Sequence, residues 1–170
     1  MKKVLIINGH PKSGKTEFEK LIAKNINSVI YSSITPVKEY AIKYFGWDGD
    51  EKNKTEEWRR FFYHLKKMLV EEFDYIYIKV AEKVRELYNN PYCEILMVDS
   101  REVEEIERFK NCFQAVTLFI NNDKAEQITS NDADANVENY KYDYYIDNNG
   151  TLEELEEKAL EFISKLKIIL

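Results

Sequence analysis

The chain has 170 residues, of which 44% are hydrophobic and 14% aromatic, a composition that can bury one sizeable core and that excludes a disordered polypeptide. Its net charge of −6 argues against a general nucleic-acid surface, and no basic arm is present. Cys93 and Cys112 lack metal-ligand spacing, and the apolar start, Val4 to Ile7, is too short for a signal segment or a membrane span. A cytoplasmic protein with reduced thiols and no membrane partner is expected.

Lys2 to Asn8 reads as an apolar strand, followed by Gly9-His10-Pro11-Lys12-Ser13-Gly14-Lys15-Thr16 and then by helical spacing at Phe18, Leu21, Ile22 and Ile26. A strand feeding G-x-x-x-x-G-K-[ST] and opening into a helix is a phosphate cradle. Gly9 and Gly14 permit backbone conformations that turn successive N–H groups inward around phosphate oxygens, and the helix that follows points its N-terminal dipole at the same anion. The whole loop, His10, Pro11, Lys12 and Ser13 included, is therefore assigned to ATP. Lys15 is expected to reach the β and γ phosphates, and the Thr16 hydroxyl to hold Mg²⁺. Lys12 either touches the γ phosphate or is a solvated loop lysine.

Residues 28–33 read as a second strand, parallel to the first through the crossover helix, so Ser32 and Ser33 should lie beside the cradle. A short helix then runs from near Pro36 to a stop at Gly46; its Lys38 either holds a second substrate's phosphate or is a surface lysine. Trp58, Phe61, Phe62, Leu65 and Met68 predict an amphipathic helix over 56–71, with Arg59 and Arg60 on its other faces, either entering a substrate cleft or solvated. Residues 74–88 fit both a strand and a helix, and the helical spacing of Tyr77, Val80, Ala81, Val84 and Leu87 is the longer pattern.

Ile95-Leu96-Met97-Val98-Asp99 reads as a buried parallel strand that delivers a carboxylate to its carboxyl end. Asp99 is there either to orient Mg²⁺ or to cap a helix, and Arg101 either clamps phosphate oxygens or pairs with Glu102, Glu104 or Glu105. Residues 115–120 form the next strand, and residues 121–139, polar and long, suggest a lid-like loop. A final strand is predicted at 142–146, and Thr151 with Glu154 makes a capping box for the last helix.

Taken together, Gly9 to Thr16, Ser32-Ser33 with Val37-Lys38-Glu39, Val98 to Glu102, Asn131 to Asp134, Tyr142-Asp143-Tyr144 and Asn149-Gly150-Thr151 resemble the P-loop nucleoside and deoxynucleoside monophosphate kinase-like proteins of phages and Firmicutes, and the related phosphomevalonate kinases. The resemblance implies a three-layer α/β/α fold with five parallel strands, and transfer of the ATP γ-phosphate to a small-molecule acceptor. It further implies that Asn148, Asn149 and Gly150 lie against adenine and that residues 34–60 are the acceptor-binding part of a single kinase domain. Lids of such kinases usually supply arginines, whereas residues 121–139 contain no Arg and one lysine, Lys124. The charge must then come from Lys12, Arg59, Arg60, Arg101 or Arg108.

Overall fold

The computed structural model describes residues 2–125 and 140–168. Five parallel strands, β1 (Lys3–Asn8), β2 (Ser28–Ser32), β3 (Ile95–Asp99), β4 (Val116–Asn121) and β5 (Tyr144–Asp147), form one sheet in the order β2-β3-β1-β4-β5. The helices are α1 (Lys15–Asn25), α2 (Thr35–Phe45), α3 (Glu56–Phe73), α4 (Tyr75–Asn89), α5 (Val103–Phe113) and α6 (Leu152–Ile168).

β1 is an unbroken apolar run because it is covered on both faces, and its period of two divides the core. Leu5 and Ile7 point with Ile95, Met97, Leu118 and Ile120 toward α1 and α6, where Phe18, Ile22, Ala159 and Phe162 fill the space. Val4 and Ile6 point the other way with Leu96, Val98 and Phe119, under Val37, Phe62, Ile76, Val80, Ile106 and Phe109 of α2 to α5. The result is a three-layer α/β/α sandwich.

The ambiguous segment 74–88 is helical. Asp74 takes a left-handed φ of 53° between α3 and α4, and its carboxylate is gripped by Arg108 of α5 at 2.5 and 2.6 Å. The capping box closes as expected, with Thr151 N–H donating to Glu154 at 2.9 Å and Glu154 N–H to Thr151 Oγ1 at 3.3 Å. Two strand limits move for identifiable reasons. The Ala115 N–H is taken by the Lys110 carbonyl at the end of α5, so β4 starts one residue late. At residue 143, side chains stand in for the sheet ladder: Asp143 Oδ2 accepts from Thr117 N and Oγ1 at 2.9 Å, delaying β5 to Tyr144.

On α3 the buried stripe differs from the expected one. Phe62, Lys66 and Leu69 are buried and Met68 is 46% exposed, so a lysine lies on the face that meets the core. Of the segment 121–139 expected as a lid-like loop, Asn121 ends β4 and residues 126–139 lie outside the described residues.

β1 lies between β3 and β4; the chain crosses from β1 to the β2 edge and then works back past β1 to the β5 edge. The carboxyl ends of these strands therefore bound a crevice of the kind in which open α/β sheets place their ligands.

Candidate functional site

β1 delivers the chain into the crevice at Asn8. Its buried side chain accepts from the Gly9 N–H at 2.8 Å through Oδ1, and through Nδ2 donates to the Tyr142 hydroxyl at 2.8 Å and the Arg101 carbonyl at 3.4 Å. Gly9 has φ 151°, and a Cβ there would sit 2.4 Å from the Ile120 carbonyl oxygen, so only glycine lets the loop pass this close to β4. The turn is closed by Ser13 N–H donating to the His10 carbonyl at 3.1 Å, with Lys12 at φ 63° and Gly14 at φ 95°. Lys15 is buried, and its ammonium donates to the carbonyls of Gly9 at 2.5 Å and His10 at 3.2 Å. Thr16 lies exposed in the first turn of α1. The Ser13 hydroxyl is buried and has no hydrogen-bond partner among the described residues. His10 is buried edge-on against Phe119 of β4.

The end of β3 faces this loop. Strand alternation puts Asp99 on the side of Ile95 and Met97, the side covered by α1. Its Oδ2 accepts from Ser32 Oγ at 3.4 Å, its carbonyl accepts from Ser33 N–H at 2.9 Å, and its Oδ1 is buried with no hydrogen-bond partner among the described residues. Glu19 stands one turn along α1 from Lys15, only 5% exposed, with its Oε1 likewise unpartnered. Burial raises the Glu19 pKa to about 7, the Asp99 charge adds to the rise, and Lys15 opposes it.

Below the crevice on the other face, the buried Lys66 ammonium donates to Glu102 Oε2 at 2.5 Å, Glu105 Oε2 at 3.0 Å and Ser33 Oγ at 3.3 Å, while Ser100 Oγ donates to Glu105 at 2.8 Å. One lysine thus serves two carboxylates. Burial works against ionisation of both. At Glu102 the charge and hydrogen bond of Lys66 overcome it and hold the pKa low; at Glu105 burial wins, helped by the Glu102 charge, and the pKa is raised.

On the far side of the loop, Asn148 Nδ2 donates to the Ser13 carbonyl at 2.8 Å, and a Cβ on Gly14 would lie 2.2 Å from that nitrogen. Asn148 is itself fixed by its N–H to the Asn121 carbonyl at 2.7 Å and by Asn122 Nδ2 to its own carbonyl at 2.7 Å. Asn149 Nδ2 donates to Asp123 at 2.8 Å and Asp147 at 2.6 Å. The turns after β4 and β5 are laced to one another and to the glycine loop.

Residues 9–16, 99, 101 and 148–150, with Ser32 and Ser33, therefore meet at one edge of the sheet. The remaining cations considered from the sequence are engaged elsewhere or exposed. Lys38 pairs with Glu51 at 2.7 Å and Arg59 with Glu56 at 3.2 Å; Arg60 is exposed on α3. Arg108 grips Asp74 and lies over the Tyr77 ring at 3.9 Å. Sequence reasoning missed Glu19 and Lys66. Each left a helical signal: Glu19 lies four residues after Lys15 and three before Ile22, and Lys66 four after Phe62 and three before Leu69. A charged residue inside an apolar stripe was the sign. Among the described residues no group of three or more His, Cys, Asp or Glu side chains forms a metal cluster, and no helix is long and apolar enough to cross a membrane.

No family model and no curated protein matches the chain. Solved structures do. A dephospho-CoA kinase from Campylobacter jejuni superposes with a TM-score of 0.53 at 15% identity, covering 96% of this chain and 97% of its own. A sugar kinase from a Janibacter species gives a TM-score of 0.52 at 13% identity, over 96% of this chain and 95% of that one. The likeness shows the fold, a three-layer α/β/α sandwich shared with these kinases, in which the glycine loop of this chain follows β1.

Proposed function

We propose that the chain is an ATP-dependent phosphotransferase and that its acceptor is a nucleoside or deoxynucleoside monophosphate. The observation that carries this reading is the closed loop of residues 9–14, capped by Lys15, at the same end of the sheet as Asp99, whose Oδ1 is buried and unpartnered among the described residues. The loop amides and Lys15 would hold the β and γ phosphates. Binding requires Lys15 to exchange the Gly9 and His10 carbonyls for phosphate oxygens, a like-for-like replacement of one set of charge-assisted hydrogen bonds by a stronger one. Thr16 and Asp99 fit Mg²⁺: both offer hard oxygen donors, Asp99 has one not yet used, and Mg²⁺ takes few protein ligands because it keeps waters and substrate phosphates. When bound, the ion would supply charge neutralisation between the phosphates.

Asn148, fixed against the loop, would bound the base. Ser32, Ser33 and Arg101 would face the acceptor, with Arg101 and Lys12 supplying positive charge to the transferring group. An acceptor phosphate already presents an anionic oxygen, so no general base is required. A second reading, a nucleotide-binding protein with little turnover, draws on one observation: residues 121–139 carry no arginine, and Lys38, Arg59 and Arg108 are tied to carboxylates.

ADP release, measured across a panel of nucleoside monophosphates, other phosphorylated small acids and no acceptor, separates these. Turnover with one monophosphate class supports the main reading, turnover only with another phosphorylated acid changes the acceptor, and ATP binding without product in the whole panel favours the second reading. Lys15→Ala is expected to abolish the ATP-dependent thermal shift while leaving the far-UV circular dichroism unchanged; an undiminished shift removes the loop from the site.

A further inference from the structure

α1 starts at the loop and packs its apolar side on the sheet, so a position on that side is ordinarily hydrophobic. Glu19 occupies one. It lies next to Phe18 in the chain and one turn before Ile22, both fully buried, and is itself 5% exposed. Glutamate is almost never that buried unless something pairs with it. Yet its Oε1 has no hydrogen-bond partner among the described residues, and the same is true of Asp99 Oδ1, which the register of β3 places on the same side of the sheet. Thr16 is three residues before Glu19 on the helix and Lys15 four, so all three side chains share one face. Lys15 donates to the carbonyls of Gly9 at 2.5 Å and His10 at 3.2 Å.

Two carboxylates on the same side of the sheet, each with a buried oxygen unpartnered among the described residues, are unfavourable on their own, since each oxygen is desolvated and the Asp99 charge acts against that of Glu19. A divalent cation between them removes both penalties at once. The Lys15 charge offsets only part of this, and burial of the acid for packing alone would have been served better by leucine or methionine, which match its length.

We propose that Glu19 is a ligand of the divalent cation, completing with Thr16 and Asp99 an oxygen site that the G-x-x-x-x-G-K-[ST] motif alone does not specify. This rests on the reading of the loop as a nucleotide site, and it predicts that the protein holds the cation more firmly than a site built from Thr16 and Asp99 alone would.

The test uses the full chain with ADP and Mn²⁺, following bound Mn²⁺ by electron paramagnetic resonance and, separately, ADP binding in EDTA by calorimetry. Glu19→Gln is expected to leave metal-free ADP binding unchanged and to weaken Mn²⁺ in the ADP complex by at least about ten- to hundredfold, the loss that follows removal of even an outer partner of a metal ligand. Glu19→Cys is expected to lose Mn²⁺ affinity in the same way and to recover tight metal binding with Cd²⁺, because thiolate prefers the softer ion. A structural role for Glu19 would move neither metal preference. Equal Mn²⁺ affinity in the unsubstituted and Gln proteins, with ADP bound by both, overturns the inference and leaves the nucleotide reading intact. No ADP bound by the unsubstituted chain, with or without metal, overturns both.

Discussion

Asn148 shows how a single amide joins two loops that the sequence holds far apart. Its Nδ2 satisfies the Ser13 carbonyl and stands where a side chain on Gly14 would have to be, so the shape of the glycine loop depends on a residue 134 positions further along the chain from Gly14. Asn148→Ala is expected to cost about 1 kcal/mol of stability, the value of one ordinary hydrogen bond, and to raise the dissociation constant for ATP several-fold; calorimetric titration and urea unfolding check the two parts separately. Glu19 carries a different signature. Its folded-state pKa of about 7 lies above the ordinary value of 4.5, so the native chain keeps a proton that the unfolded chain releases between these limits. Stability from this group is full below the unfolded value and is lost as pH rises toward 7. In EDTA, Glu19→Gln is therefore expected to match the unsubstituted protein at pH 4.5 and to exceed it by about 2–3 kcal/mol at pH 8, read from urea midpoints at the two pH values.

α3 is amphipathic, but its inner face is not wholly apolar. Between Phe62 and Leu69 it presents Lys66 to Glu102 and Glu105 at the start of α5 and to Ser33 after β2, and so fastens the helix that follows the region 34–60 to the two strand ends nearest the loop. Removing one partner of a buried ionic group leaves the others uncompensated, which costs about 3–5 kcal/mol. Lys66→Met is expected to lose stability of that order in urea unfolding, and adding Glu105→Gln to restore part of it, since the second carboxylate then no longer needs a cation. An additive double variant would show that the two groups do not interact. At the other edge of the sheet, Asp143 takes both the backbone and the hydroxyl of Thr117 and also accepts from Lys110 at 2.6 Å. Burial would raise its pKa, yet these donors hold it below the usual carboxylate range.

For the whole molecule the consequence of this fold is that the candidate site belongs to both layers. The loop and α1 come from one core, Lys66 and the start of α5 from the other, and the sheet edge joins them. A ligand held by native geometry and absent from the unfolded chain stabilises the entire domain. ATP with Mg²⁺ at a hundred times its dissociation constant is expected to add about 2.7 kcal/mol, which for a chain of this size raises the melting temperature by roughly 5–10 °C; a scanning-fluorimetry titration that stays flat would count against any nucleotide site.

The layered fold was legible in the chain because its signals are local: a strand buried on both faces must be continuously apolar, a helix on a sheet must repeat its apolar residues every three or four positions, and a glycine loop between them has one common use. Helical spacing decided correctly for residues 75–89, where a strand pattern competed over four residues. Strand limits near Ala115 and Tyr142 were not legible, since they depend on a helix-end carbonyl and on Asp143 reaching Thr117 across the sheet. The same holds for the inner charges. Nothing nearby in the sequence announces that Lys66 meets Glu102, or that Glu19 faces Asp99, because each pair is brought together by crossovers between layers. Residue order and composition alone determined the architecture and the position of the glycine loop after β1. Which cations and carboxylates surround that loop was decided only when the sheet closed the distance between them, for electrostatic partnership depends on separation in space and on exclusion of water, and neither is written in local sequence.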